Sequence, residues 1–362
     1  MNAIEAVSVS KVLDVNATEA VEVEVVTTSG YGRCSFPAPG EAIKRARERA
    51  TGLIGTEVNQ QAEIDELLQE AFSLPNMSMA FSVAAANAAA ASLGMPLYRY
   101  LGGLFANSMP YPLLKVASDE ADYFVIPTGA SSFARAIACS TRVFRELKAS
   151  RMAPHPSVID TLNRLAAITE RASNVFGFDV KIGVDFKASG QAHYGLRFHE
   201  EGSMTANQRL QYILSLAGDY GLYYIEDAFD EAEHEFQYRM SNELGATCLI
   251  ASASKFNRDG TDSHETNHGK RTNLALIPLT RTISSVFDNY THKRAHNQAC
   301  AVLTDNSTTC EASPSHLAVA MSASFIKLNV RGRQSAAKTN ELIRIEQELS
   351  DGKSYRMAKK PI

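Results

Sequence analysis

The chain offers no cysteine pairing pattern. Its five cysteines (Cys34, Cys139, Cys248, Cys300 and Cys310) are scattered, odd in number and free of C-x-x-C spacing. They read as reduced thiols in a cytoplasmic protein. No run approaches about 18 consecutive apolar residues, so no membrane span is indicated. The opening MNAIEAVSVSKVLDV lacks a basic stretch followed by an apolar one, and no secretory signal is expected. Positive charge is not in excess either. The net charge is −4, which gives no reason to expect nucleic acid or an anionic membrane as partner. There is no fixed-period repeat and no low-complexity tract.

What is present is the material of a globular protein. With 45% hydrophobic and 21% charged residues, the 362-residue chain can bury a large core. It is long enough for a barrel plus an appendage. Residues 1–40 read as a β-meander, with Val21, Val23 and Val25 alternating against Glu22 and Glu24, Ser29-Gly30 as the turn, and Tyr31–Phe36 returning antiparallel. Helical spacing follows at Ile64, Leu67 and Leu68, and the alanine-rich Phe81–Leu93 stops at Gly94. Strands first and helices afterwards predict a small α+β domain over residues 1–105. Pro110 and Pro112 mark the boundary, and a second domain is expected over 112–362. There, short apolar stretches alternate with helical ones: Phe124–Pro127, a helix through Phe133 and Leu147, another through Leu162 and Ile168, and a capping box at Thr205-x-x-Gln208. Leu274–Leu279, Ala301–Leu303, Phe325–Val330 and the helix Ala336–Leu349 complete the series. Repeated β-then-α units predict a closed α/β barrel. The polar stretch Asn257–Thr272 is expected to be a mobile loop.

Two strands carry acids at their ends. GLYYIEDAFDE (Gly221–Glu231) runs four bulky residues into Glu226 and Asp227, and DVKIGVDFKAS (Asp179–Ser189) closes an alternating strand on Asp185. Acids at the C-terminal ends of buried parallel strands sit where a barrel keeps its chemistry. Carboxylates from two such strands make a divalent-metal site plausible. The plainer reading is that these acids only cap their strands.

With these pieces in order, the chain resembles the enolase family, the 2-phosphoglycerate dehydratases (phosphopyruvate hydratases) of glycolysis. The likeness runs through Asp14–Val25, PLYRYLGG (Pro96–Gly103), IPTGASSF (Ile126–Phe133), both acid-bearing strands, FIKLN (Phe325–Asn329) and AAKTNELIRIEQEL (Ala336–Leu349). It implies an α/β fold in which a small N-terminal α+β capping domain precedes a modified TIM barrel, and it implies a homodimer. In the family a lysine removes a proton alpha to a carboxylate, two Mg²⁺ ions stabilise the enolate, and a glutamate protonates the leaving hydroxyl, chemistry long established for the superfamily. Carried over by position, Asp185 and Glu226 are two of the three metal ligands. Lys327 is the lysine that holds the substrate, and Asp122 occupies a neighbouring glutamate position.

The departures fall on the chemistry. The family's third metal acid comes from a G-D-D run, whereas Leu249–Phe256 reads LIASASKF, with Ser252 at or beside the lost acid. Pro278 stands where the base lysine belongs, and proline has no titratable group. The phosphate-gripping segment falls on Leu303-Thr304-Asp305-Asn306, where Asp305 reverses the charge. The glutamate segment falls on Lys148–Arg151 without an acid, and the histidine loop shrinks to Lys115–Ala121 without a histidine. Phe36-Pro37-Ala38-Pro39-Gly40 replaces a serine-bearing loop. Three readings remain open. One is an active Mg²⁺-dependent enolase that recruits substitutes such as Lys255, His264 or His268. Another is a different lyase or isomerase of the superfamily. The preferred one is an inactive member kept for binding or assembly with an unidentified protein partner, with weak or absent Mg²⁺ binding.

Overall fold

The computed structural model describes residues 2–150, 156–187, 204–253, 272–304, 309–352 and 355–362. The sequence readings at Arg151, Lys255, His264, His268, Asp305, Asn306 and the stretch 257–271 lie outside them.

The cap begins as the meander expected. Strands β1 (Ile4–Leu13), β2 (Glu19–Thr27) and β3 (Tyr31–Pro37) pair antiparallel in that order. Val21, Val23 and Val25 are fully buried, because alternation puts them on the face that meets the helices. Helices α1 (Gly40–Ala50) and α3 (Pro75–Ser92) pack on the sheet, and α2 (Gln61–Ala71) and α4 (Leu97–Gly102) pack on α3. Pro75 opens α3 at the position where its missing N–H costs nothing. The helix is buried almost throughout, since alanine lets its neighbours approach closely.

A short strand β4 (Ser108–Met109) pairs with the chain's last strand, Arg356–Met357. The barrel proper starts with β5 (Tyr111–Ser118) and β6 (Asp122–Ile126), which form an antiparallel hairpin. This differs from a uniform β-then-α series. Only three residues join the two strands, far too few for the dozen or more that a parallel crossover needs. Lys115–Ser118, read from the sequence as part of a shortened loop, therefore belong to a strand. Helices α5 (Phe133–Ala149) and α6 (Val158–Phe176) follow in succession, and strands and helices then alternate, apart from β9 and β10, between which 254–271 lie outside the described residues: β7 (Lys181–Asp185), α7 (Ala206–Tyr220), β8 (Tyr224–Glu226), α8 (His234–Leu244), β9 (Leu249–Ala251), β10 (Leu274–Ile277), α9 (Ile283–Ala295), β11 (Ala299–Leu303), α10 (Ser313–Ala320), β12 (Phe325–Asn329), α11 (Arg333–Asp351) and β13 (Arg356–Met357). Thr205 and Gln208 make both hydrogen bonds of the expected capping box.

The eight-stranded sheet runs β10-β11-β12-β5-β6-β7-β8-β9. Its ends meet through Asn273. The Asn273 N–H donates to Ile250 O at 3.1 Å, and its side-chain oxygen accepts from Ile250 N at 2.7 Å. Leu113, Phe124, Tyr224, Leu276 and Phe325 form one apolar cluster, separate from those between the strands and the helices. Cap and barrel share a core: Leu68 and Phe81 of the cap belong to the same cluster as Ile283, Leu317 and Leu342. Among the described residues no single helix is long and apolar enough to cross a membrane.

Candidate metal and substrate site

Asp185 and Glu226 end adjacent parallel strands and are paired in register. Lys327 lies on β12, across the barrel. Its ammonium Nζ is 2.6 Å from Glu226 Oε2 and 3.6 Å from Asp185 Oδ2. All three side chains are buried. The Tyr224 hydroxyl donates to the same Glu226 oxygen. The Phe124 ring lies beneath the ammonium, its centroid 5.1 Å from Nζ, and meets the Tyr224 ring edge-on. Gly183 makes room for this arrangement, because a Cβ there would come within 2.8 Å of Tyr224 Cβ.

The sequence leaves this corner two carboxylates, and the structure brings in a third. Successive strand residues face opposite ways, so Glu226 and Asp227 should diverge. Asp227 instead has a φ of 46°, which ends the strand and returns its side chain. Among the described residues, ligand atoms of Asp185, Glu226 and Asp227 all lie within 4.8 Å of one another. Ser252, which directly follows β9, acts on Asp227. Its hydroxyl donates to Asp227 Oδ1 at 3.0 Å, and Ala253 N donates to the same atom at 2.7 Å. Burial raises the carboxyl pKa of both Asp185 and Glu226. At Asp185 the Glu226 charge adds to the rise and Lys327 opposes it; at Glu226 Lys327 is again the main opposing influence. Burial and then Glu226 raise the Tyr224 hydroxyl as well.

Asp122 belongs to a second cluster at the same mouth. Because β6 runs antiparallel, its first residue pairs with Asp185. Asp122 Oδ1 is 2.7 Å from Lys187 Nζ and 2.5 Å from the Ser118 hydroxyl, and Oδ2 is 3.1 Å from Lys115 Nζ. Burial alone would raise its pKa, but Lys187, Ser118 and Lys115 outweigh that and hold the carboxyl below its usual value. Lys187 reaches over from a backbone φ of 57°. The sequence reading missed Asp227, Tyr224, Lys187 and Lys115 as site residues. Asp227 was visible as an acid beside Glu226; the other three depend on register and backbone turns that no spacing reveals.

Pro278 directly follows β10, half-buried, and shares a cavity of about 20 Å³ with Phe36, Asn76, Leu303 and Thr304. The segment from Phe36 to Gly40 is short and held: β3 ends at Pro37, α1 starts at Gly40, and Asn76 donates to Pro37 O at 3.0 Å. A larger cleft, about 500 Å³, opens in the cap beside Arg49, Leu67 and Phe72. It is lined by cap residues only and contains none of the groups above.

As a donor set, three carboxylates suit a hard divalent ion such as Mg²⁺. The Lys327 ammonium already engages two of them.

The chain matches the family model described as "Enolase, C-terminal TIM barrel domain" over residues 115–361. It is similar along almost its whole length to proteins named "Enolase". The one from Methanosphaera stadtmanae is 29% identical over 96% of this chain and 97% of its own. That from Methanothermobacter thermautotrophicus is 28% identical with the same coverages, and that from Halorubrum lacusprofundi is 28% identical over 95% and 99%.

Proposed function

The chain belongs to the enolase family, and on that footing we propose that it does not dehydrate 2-phosphoglycerate and is kept for binding or assembly in the cytoplasm. Pro278 carries this reading. It follows the last residue of β10, where the resemblance calls for a base lysine, and it can accept no proton. General-base catalysis typically supplies about a hundred- to ten-thousand-fold in rate. The five free cysteines fit a reducing compartment.

Asp185, Glu226 and Asp227 are the residues that would hold Mg²⁺, weakly. The ion, when bound, supplies positive charge against a developing enolate. Of the chain's own groups, Tyr224 orients Glu226, and Ser252 with Ala253 N orients Asp227. The test is the rise in ultraviolet absorbance as phosphoenolpyruvate forms, using purified protein and excess Mg²⁺. No measurable rise is expected. Turnover that disappears in Glu226→Gln would overturn the reading, whereas turnover that survives it would point to a contaminating enzyme.

A second reading, a lyase or isomerase acting on another carboxylate, is favoured by Lys187. Its ammonium stands at the mouth, partly exposed and within 2.7 Å of Asp122. Solvent deuterium entering the alpha position of a small carboxylate would support that reading. We also infer a homodimer, with an unidentified protein as a further partner, because the strand Val21–Val25 and the segment after it resemble the part of the cap that bears the family's interface. Sedimentation showing only monomer at micromolar concentration would end that inference.

A further inference from the structure

Every carboxylate of the metal corner is already engaged by the protein. Asp185 Oδ1 accepts from Lys187 N at 2.9 Å. Asp227 Oδ1 accepts from Ser252 and from Ala253 N. Glu226 Oε2 accepts from Tyr224 and, at 2.6 Å, from Lys327. The Lys327 ammonium is also 3.6 Å from Asp185 and rests over the Phe124 ring. Its side chain is only 6% exposed. Its backbone is fixed as well, because β12 is paired on both sides and the Thr304 hydroxyl donates to Lys327 O at 2.5 Å.

We propose that Lys327 is the resident cation of this corner, neutralising Asp185 and Glu226 in the place of a divalent ion and making the folded chain independent of metal. Buried carboxylates left without a counter-charge strongly oppose folding, and an ammonium supplies that charge without being recruited from solution. A divalent ion reaching Glu226 Oε2 would have to expel a like charge from hydrogen-bonding distance. Mg²⁺ gives up its water reluctantly and is a weak competitor for such a site. The inference concerns the same site as the proposed function but makes a separate claim, since a metal-free corner says nothing of what else the chain binds.

Mn²⁺ is a suitable probe, because its free aqueous ion is counted directly by electron paramagnetic resonance. The full-length protein is expected to leave micromolar Mn²⁺ free, and its melting temperature should be the same in chelator and in Mn²⁺. Lys327→Met removes the charge while keeping the length of the side chain. That variant is expected to take up one Mn²⁺ roughly tenfold or more tightly than the parent, the scale on which a neighbouring like charge perturbs a carboxylate site. Its melting temperature should rise with Mn²⁺. Micromolar uptake by the parent protein, or equal affinity in parent and variant, would overturn the proposal. If Lys327→Met does not fold, the parent titration still decides against the proposal when binding is tight. The double change Lys327→Met with Glu226→Gln, which removes both charges, should then restore a folded, Mn²⁺-indifferent protein; failure to do so would also count against it. Phosphoenolpyruvate formation without Mn²⁺ uptake would defeat the proposed function and leave this inference standing.

Discussion

Asp122 receives two ammonium groups and a hydroxyl on one carboxylate. Its pKa is lower in the folded state than in the unfolded one, so the folded chain releases that proton more readily. The resulting stability is complete above the unfolded value, about 3.9, and is lost as pH falls through the folded value. Lys115 and Lys187 are 27% and 36% exposed, and water screens part of their attraction. Asp122→Asn is therefore expected to cost about 1–2 kcal/mol at neutral pH and progressively less as pH falls below about 4, measured by urea unfolding across that range. A penalty unchanged at low pH would mean that the charge is not what matters. The same scale shows what the sequence could reveal of the site. Asp185 and Glu226 were legible as acids that end apolar strands, whereas Lys327 and Pro278 were singled out only by the resemblance to the enolase family. Asp227 was visible as an acid beside Glu226, but the alternation rule turns it away from this corner, and one left-handed backbone angle overrides that rule.

Between elements, β3 approaches α3 closely at Gly32. A Cβ on Gly32 would lie 2.0 Å from Ala84 O and 2.3 Å from Ala88 N, both backbone atoms that cannot turn aside. Gly32→Ala must push the strand off the helix, and overpacking of this kind costs about 1–3 kcal/mol, occasionally more. Thermal unfolding checks this, and a loss below the measurement error would show that the sheet can shift cheaply. Most elements could be read from residue spacing alone: the valines of β2, the Thr205–Gln208 box, and the stripes of α5, α6 and α11. The β5–β6 hairpin could not. The direction of a strand depends on the length of its connection, and the segment Lys115–Ala121 has no turn dipeptide to mark where strand gives way to turn.

Across the whole molecule, cap and barrel are bonded to each other at helix and strand ends. Asp65 of α2 accepts from Ser284 N at 2.8 Å, and the Ser82 hydroxyl of α3 accepts from Ile283 N at 2.9 Å, so cap side chains serve the first turn of the barrel helix α9. On the other side, Glu311 accepts from Ser35 N and Thr309 donates to Ser35 O, binding the edge of β3. With a core in common as well, the two parts should unfold together. The chain has no tryptophan, so Phe72→Trp makes a reporter for the cap while far-ultraviolet circular dichroism follows the barrel. Coincident transitions are expected, and Asp65→Ala should lower both by about 1–3 kcal/mol. Separated transitions would show two independent units.

The barrel's closure has a kinetic consequence. Elsewhere neighbouring strands are zipped by ladders of peptide hydrogen bonds, but among the described residues β9 and β10 are joined at one residue, Asn273, through its backbone N–H and its side chain. Asn273 accepts from Ile250 N and donates to the carbonyls of Gly245 and Cys248 at 3.0 and 2.9 Å. A cylinder fastened by a single clasp opens along that line first. Deuterium from the solvent should reach the Ile250 and Asn273 amides through a local parting that leaves β5, β6 and β7 protected. Asn273→Ala should hasten exchange along this line well before it changes the exchange of any other strand.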